Sequence, residues 1–364
     1  MKHIKPQNNR QIVLRSLSIG LAGGIVGWLI KMPLAWMLGP MLLTIIVSLA
    51  GVKCCIPSSM SKIFKGIVGI ILGTAINTET VERIVDWPVS IGMVALGILL
   101  TSAVVSLYYR RIAKFDLMTS AAAALPGSIT SLPAIAINMG AHPQRTILPQ
   151  LLRVALVVTC VPPIYLTWQG IPSFVEPELT EPQASMLFWV GEELWILLFA
   201  PLGWYIAQLI KIPVPQMLGP MLITAGFTLA GFEVQLPVWL IGTAFLVLGT
   251  GIGARFYGMP FKTVFTTGRH ALAGTLLGFA GIAIVGVLIH SVTGVPLPVA
   301  MLAVTPGGIA EMALLAAALG VDPVFVTFHQ VTRTVVLNFV APFIFNWITR
   351  RSANLVDDHN KGDS

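Results

Sequence analysis

Charge is what this chain lacks. Lys, Arg, Asp and Glu together make up 10% of its 364 residues, where a soluble globular protein carries about 25%. So few charged groups cannot cover a water-facing surface, which excludes an ordinary soluble domain and leaves lipid as the main solvent. Cysteine is scarce too: Cys54, Cys55 and Cys160 set no disulfide framework. The six histidines, His3, His142, His270, His290, His329 and His359, contain no pair at a ligand spacing such as i, i+4. No metal and no other cofactor is therefore expected, and an enzyme is hard to support. A glycine-rich phosphate loop ending in Lys-Ser/Thr is absent, which argues against ATP-driven transport within this chain. Strand-like alternation is missing, which sets aside an outer-membrane barrel.

What the chain has instead is apolar length. Hydrophobic residues reach 55% and mean hydropathy is +0.85. Ile12 to Ile30, Val89 to Leu107, Val154 to Trp168 and Leu272 to Ile289 each carry almost no charge, and a bilayer-spanning helix needs roughly 20 such residues. The expected fold is all-α, a polytopic bundle of transmembrane helices. The net charge of +7 does not point to nucleic acid. Basic residues sit in short clusters at helix ends, such as Arg110, Arg111 and Lys114, as the positive-inside rule requires. No polar segment is long enough for a DNA-reading domain. The N-terminus, basic and then apolar, looks superficially like a signal peptide. It runs through Gly27, Trp28 and Leu29 to Lys31 without a small-x-small cleavage site, so it reads as an uncleaved first helix.

The chain also repeats itself. Met37-Leu38-Gly39-Pro40-Met41-Leu42 recurs as Met217-Leu218-Gly219-Pro220-Met221-Leu222, an offset of 217 − 37 = 180. That shift carries Lys31 and Pro33 to Lys211 and Pro213, Ala50-Gly51 to Ala230-Gly231, and Gly69 and Gly73 to Gly249 and Gly253. It also brings Pro126-Gly127 to Pro306-Gly307, Pro143 to Pro323, Gln150 to Gln330 and Arg153 to Arg333. So many shared Gly, Pro and polar positions imply a duplication. The expected organisation is a first repeat over 1–170, an acidic extracytoplasmic linker over 171–184, a second repeat over 185–350 and a polar tail over 351–364, disordered from Ser352. Helices are expected near 12–30, 34–51, 63–77, 88–109 and 145–166, and near 185–210, 214–231, 237–254, 270–290 and 325–347. Each half adds one apolar segment broken by proline and glycine, 117–140 and 297–320.

Orientation turns on those broken segments. If they re-enter, each half has about five crossings and the repeats are inverted; if they cross, the repeats are parallel. With a cytoplasmic N-terminus the inverted arrangement leaves only Lys31 and Arg83 among the loop charges outside. It also puts Glu176, Glu178 and Glu181 of the linker outside. The parallel one exports Arg145, Lys211, Arg255, Lys262 and Arg269 as well. The positive-inside rule favours the inverted form, with both termini cytoplasmic.

Pro-Gly within an apolar segment frees backbone groups that lipid cannot satisfy, so such backbone survives only where protein buries it or water reaches it. Paired interruptions in two halves point to a transporter binding site. The candidate substrate-binding residues are Pro126, Gly127, Ser128, Thr130 and Ser131 at the first break, and Pro306, Gly307, Gly308 and Glu311 at the second. Gln150 with Arg153, and Gln330 with Arg333, join them from the following helices. The bland alternative is that the breaks merely kink packed helices. An arginine at mid-membrane costs about 2.5–3.5 kcal/mol, so it faces a cavity or a partner, or snorkels to the interface. Its fork of donors suits a carboxylate or phosphate. Glu311 has no acidic counterpart, since the offset matches it to Ser131. It is a candidate for a coupling proton, and equally for a neutral hydrogen-bonded group or a structural partner of Arg333. Glu192 and Glu193 read as solvated near an outer interface. Gly39-Pro40 and Gly219-Pro220 read as close helix packing or an unwound turn.

The repeated Leu38-Gly39-Pro40 and Leu218-Gly219-Pro220, with the breaks Leu125-Pro126-Gly127 and Thr305-Pro306-Gly307-Gly308, carry a resemblance. The chain resembles, over essentially its full length, the duplicated membrane proteins of the AbrB type, which also carry the labels ammonia monooxygenase and regulator. The resemblance implies a multi-pass protein of the bacterial cytoplasmic (inner) membrane linked to control of gene expression. It supplies no catalytic residues, and this family is distinct from the small soluble DNA-binding regulator that shares its name. The monooxygenase label finds no metal-ligand cluster in the sequence, and the regulatory label finds no DNA-binding element. The residues favour a secondary transporter or channel-like facilitator of a small polar solute, with anions among the candidates. The competing class is a membrane-embedded sensor or regulator that binds a signal in the same place. The expected partners are the lipid bilayer and the solute, with no direct nucleic acid. A bundle so rich in glycine can also self-associate as a homo-oligomer.

Overall fold

The computed structural model describes residues 9–127, 131–168, 195–232, 234–259 and 261–362. The acidic linker with Glu176, Glu178 and Glu181, as well as Glu192, Glu193, Ser128 and Thr130, lie outside them. Among the described residues there is no strand. The first half gives α1 (Asn9–Leu29), α2 (Ala35–Leu49), α3 (Ser58–Thr74), α4 (Thr78–Arg83), α5 (Trp87–Arg111), α6 (Leu117–Ala124), α7 (Ser131–Asn138) and α8 (Pro143–Trp168). The second gives α9 (Ile196–Leu209), α10 (Pro215–Leu229), α11 (Val238–Ala254), α12 (Phe261–Thr293), α13 (Leu297–Val304), α14 (Ile309–Ala318) and α15 (Pro323–Gly362).

Two departures from the sequence expectation have simple causes. Helix α4 is short and polar, so it shows no hydrophobic period. Its start is fixed by the Asn77 side chain accepting from the Thr80 N–H at 2.8 Å, and Glu79 pairs with Arg83 one turn on. Helix α15 continues to Gly362, through most of the tail expected to be unstructured. Extending an existing helix adds a hydrogen bond per residue without a new nucleation cost.

The turns follow the 180-residue shift as closely as the helices do. Gly51 and Gly231 leave α2 and α10 at φ 91 and 89. There the N–H of Val52 reaches back to the Val47 carbonyl and that of Phe232 to the Phe227 carbonyl, the bond pattern of a left-handed glycine cap. Lys31 and Leu34 before α2 take φ 54 and 47, and Lys211 and Val214 before α10 take 58 and 50. Non-glycine residues adopt this region at a cost, and the same unusual turn occurs at matched positions.

The chain falls into two compact units that do not coincide with its two halves. The first holds α1–α4, α9–α11 and α14; the second holds α5–α7, α12 and α13, and α8 and α15 contribute to both. In the first unit α1 packs on α2 and α9 on α10. Gly23 meets Gly39 at one crossing and Gly203 meets Gly219 at the other, where a Cβ would collide with the facing backbone. Small residues permit such close approach in membrane bundles, so the repeated Gly-Pro pairs serve packing. Helix α3 packs on α10, and α11 on α2, with Gly69 against the Met217 carbonyl and Gly249 against that of Met37. Each of these contacts has an equivalent 180 positions away with the halves exchanged. In the second unit α5 runs along α12, with α6 on α5 and α13 on α12. Its core includes Ile98, Leu125, Leu132, Val304, Leu337 and Phe345.

Among the described residues, five helical stretches are long and apolar enough to cross a bilayer: Arg10–Leu29, Thr78–Arg111, Pro143–Tyr165, Val264–Thr293 and Pro323–Arg351. Helices α2, α10 and α11 have 15, 15 and 17 residues, shorter than the roughly 20 of a full crossing. Large apolar side chains lie on the outside, Phe265, Leu276 and Ile284 of α12 among them. Water would not tolerate a surface of this kind on an ordinary soluble protein. The chain is a helical membrane protein.

Candidate functional site

The breaks arise from proline acting on its predecessor. A residue before proline is pushed out of the helical region. Leu125 accordingly takes φ −68, ψ 116 and Thr305 takes φ −62, ψ 128, ending α6 and α13. The final carbonyls of each half-helix then have no partner within it.

Helices α8 and α15 supply those partners. Gln150 Nε2 donates to the Ala122 carbonyl at 2.9 Å, and Gln330 Nε2 donates to those of Leu302 at 3.1 Å and Thr305 at 2.7 Å. Ala122 and Leu302 are themselves 180 positions apart. Arg333 donates through Nη1 to the Thr305 carbonyl at 3.1 Å and through Nη2 to that of Gly307 at 2.7 Å. Arg153 donates through Nη1 to the Ala124 carbonyl at 3.4 Å. Cationic donors at a helix C-terminus also complement its dipole. Four of the expected site residues therefore cap the two breaks in equivalent fashion.

The equivalence stops there. Gln150, Gln330 and Arg333 are buried, whereas Arg153 is partly open. Arg333 spends both terminal nitrogens on carbonyls, so its side chain is held inside the protein and does not reach for the interface. Arg153 makes one long bond and faces a cavity of about 20 Å³ in the second unit. A cavity of that size holds one or two water molecules. Ile98, Thr101, Ser102, Val105 and Tyr109 of α5 line one wall, and Gly274, Thr275, Gly278 and Ile282 of α12 another. Ala124, Pro126 and Pro306 close it at the breaks. Ser102 Oγ is buried without a hydrogen-bond partner among the described residues, as are Arg153 Nε and Arg333 Nε.

The other expected site residues are placed as follows. Pro126, Pro306 and Gly307 are buried, and Gly127 and Gly308 are half-buried. Ser131 opens α7. Glu311 is buried in the first turn of α14, within the first unit, where a carboxylate suits the positive helix end.

Sequence reasoning did not find Thr101, Ser102, Tyr109 or Thr275. A signal existed: residues 98, 101, 102, 105 and 109 recur at helical spacing, which puts a Thr, a Ser and a Tyr on one face of an apolar helix. It also passed over the buried contact between Ser90 Oγ and His329 Nε2 at 2.8 Å.

Relatives are similar over nearly the whole chain. The chain is 28% identical over 358 residues to the "uncharacterized protein YhjN" of Bacillus subtilis (strain 168), covering 90% of this chain and 91% of the relative. It is 26% identical over 353 residues to the "putative regulator AbrB" of Escherichia coli (strain K12), covering 93% and 97%. No solved structure matches it. The family model described as "Transition state regulatory protein AbrB" matches residues 7–349, and the chain belongs to that family.

Proposed function

We propose that this protein binds a small polar solute within the membrane and moves it across as a secondary transporter or facilitator. The observation that carries this reading is the cavity at the paired breaks, whose mixed lining includes Arg153, Tyr109 and Ser102. Irregular backbone at membrane depth is tolerated where it lines a cavity, and duplicated breaks are where transporters of this architecture place their sites. The distribution of Lys and Arg supports two inverted repeats in the bacterial cytoplasmic membrane with both termini inside. The protein carries out no chemical conversion in this reading.

Reconstitution into liposomes tests it. Saturable uptake of a small polar solute that falls on Arg153→Gln supports transport. Saturable binding with no flux in either direction sinks it in favour of a sensor. That second reading draws on the relative's description as a regulator; any effect on gene expression would then be indirect, through a partner protein. Copper or iron retained stoichiometrically by the purified protein would revive the enzyme reading.

A further inference from the structure

Duplication predicts two equivalent binding places, one beside each arginine. The side chains around them have diverged. Ser102 is matched by Ile282, Tyr109 by Ile289, and Thr101 by Gly281. Ile289 is buried in the apolar core of the second unit, and Ile282, also buried, puts an apolar side chain on the wall of the same cavity that Arg153 faces. Arg333, the counterpart of Arg153, is bound to two carbonyls. One arginine thus has a cavity with hydroxyls before it, and the other is committed to the backbone.

The cavity has a definite chemistry. A guanidinium offers only donors, and the hydroxyls of Ser102 and Tyr109 can donate as well. Ser102 is 5% exposed, and its Oγ lacks a partner among the described residues while lining the cavity. Among the described residues, no carboxylate lines it. A cation in an apolar surrounding is costly without a counter-charge. The volume, about 20 Å³, suits a species near the size of water. The Tyr109 hydroxyl lies against Gly274, where any Cβ would collide with it.

The geometry points to a single site per chain for one small monovalent anion, of the size of chloride or formate, held by Arg153, Ser102 and Tyr109. This inference rests on the solute-binding reading above and narrows it to a ligand class and a stoichiometry.

The test is a titration of detergent-purified full-length protein, prepared in sodium gluconate, with sodium chloride and separately with sodium formate at constant ionic strength. Thermal midpoint and calorimetric heat are the readouts. The expected result is saturable binding of one ion per chain, weakened about tenfold or more by Ser102→Ile, which copies the residue at 282. Arg153→Gln should abolish it. Tyr109→Phe, which keeps the ring packing, should weaken it while leaving the gluconate melt in place. Equal midpoints in chloride, formate and gluconate would overturn the proposal. So would two ions per chain, or binding indifferent to Ser102→Ile and Tyr109→Phe. Flux keeps the two readings apart. Anion binding without any flux leaves this site standing and removes transport, while flux of a larger solute with no anion binding does the reverse.

Discussion

The guanidinium of Arg333 holds the Gly307 carbonyl at 2.7 Å, across the break that Pro306 makes between α13 and α14. A proline-broken turn in an apolar surrounding has carbonyls that neither helix nor lipid can serve. Arg333 turns that liability into a fixed geometry. Its counterpart Arg153 reaches only the Ala124 carbonyl, at 3.4 Å.

The two arginines should therefore differ in stability effect. Arg333→Met leaves the Gly307 carbonyl without this donor and is expected to cost about 1–3 kcal/mol. Arg153→Met gives up one long bond and should cost less than about 1 kcal/mol. Thermal midpoints in one detergent at one scan rate check the order. Equal losses would mean that the two breaks are held alike.

The glutamines follow the same logic. Gln330 serves two carbonyls and Gln150 one. Replacing either by leucine keeps the bulk and removes the donor. Gln330→Leu should be the more damaging, by about 1 kcal/mol. The measurement is denaturant-induced unfolding of both variants beside the parent protein.

Helix crossings give a contrast among glycines. Gly39→Ala and Gly219→Ala each drive a methyl into facing backbone and should cost about 1–3 kcal/mol or prevent folding. A Cβ on Gly92 or Gly242 meets nothing within 4 Å, and alanine there should be neutral or stabilising by up to about 1 kcal/mol. Expression level and melting of all four variants decide it.

The left-handed turn before α10 should be improvable. Lys211 is exposed at φ 58, a conformation glycine adopts freely. Lys211→Gly is expected to raise stability by roughly 1 kcal/mol. An unchanged or lower melting midpoint would show that the lysine contributes more than its backbone costs.

Much of this molecule is written locally in its residues. Apolar runs of helical length can be solvated only by lipid, so the sequence announces a membrane bundle. Proline forces its predecessor out of the helix, so Pro126 and Pro306 announce the breaks. Matched glycines at 51 and 231 announce the turns, because glycine adopts positive φ without the cost a Cβ brings. The 180-residue shift then organises all of them. The short helix α4 escaped because six residues with Val81 as their one apolar position have no period to read, although Asn77 ahead of Thr80 is a recognisable cap.

What the local signals do not contain is which side chains meet. Gln330 and Arg333 find carbonyls 25 to 28 positions away, a distance no helical or strand spacing encodes. Two arginines at matched positions receive different tasks: Arg333 meets two carbonyls, while Arg153 faces a cavity that Ser102 and Tyr109 line. Threonine and serine on a membrane helix look like packing residues until the neighbouring helix is in place. The sequence by itself determined an all-helical membrane protein with paired breaks and a repeated pattern. Only the tertiary structure decided that the units mix elements from both halves, that one arginine serves the backbone and that the other faces a cavity. The reason is that burial and hydrogen bonding between distant helices are properties of their packing, and packing is absent from any single segment.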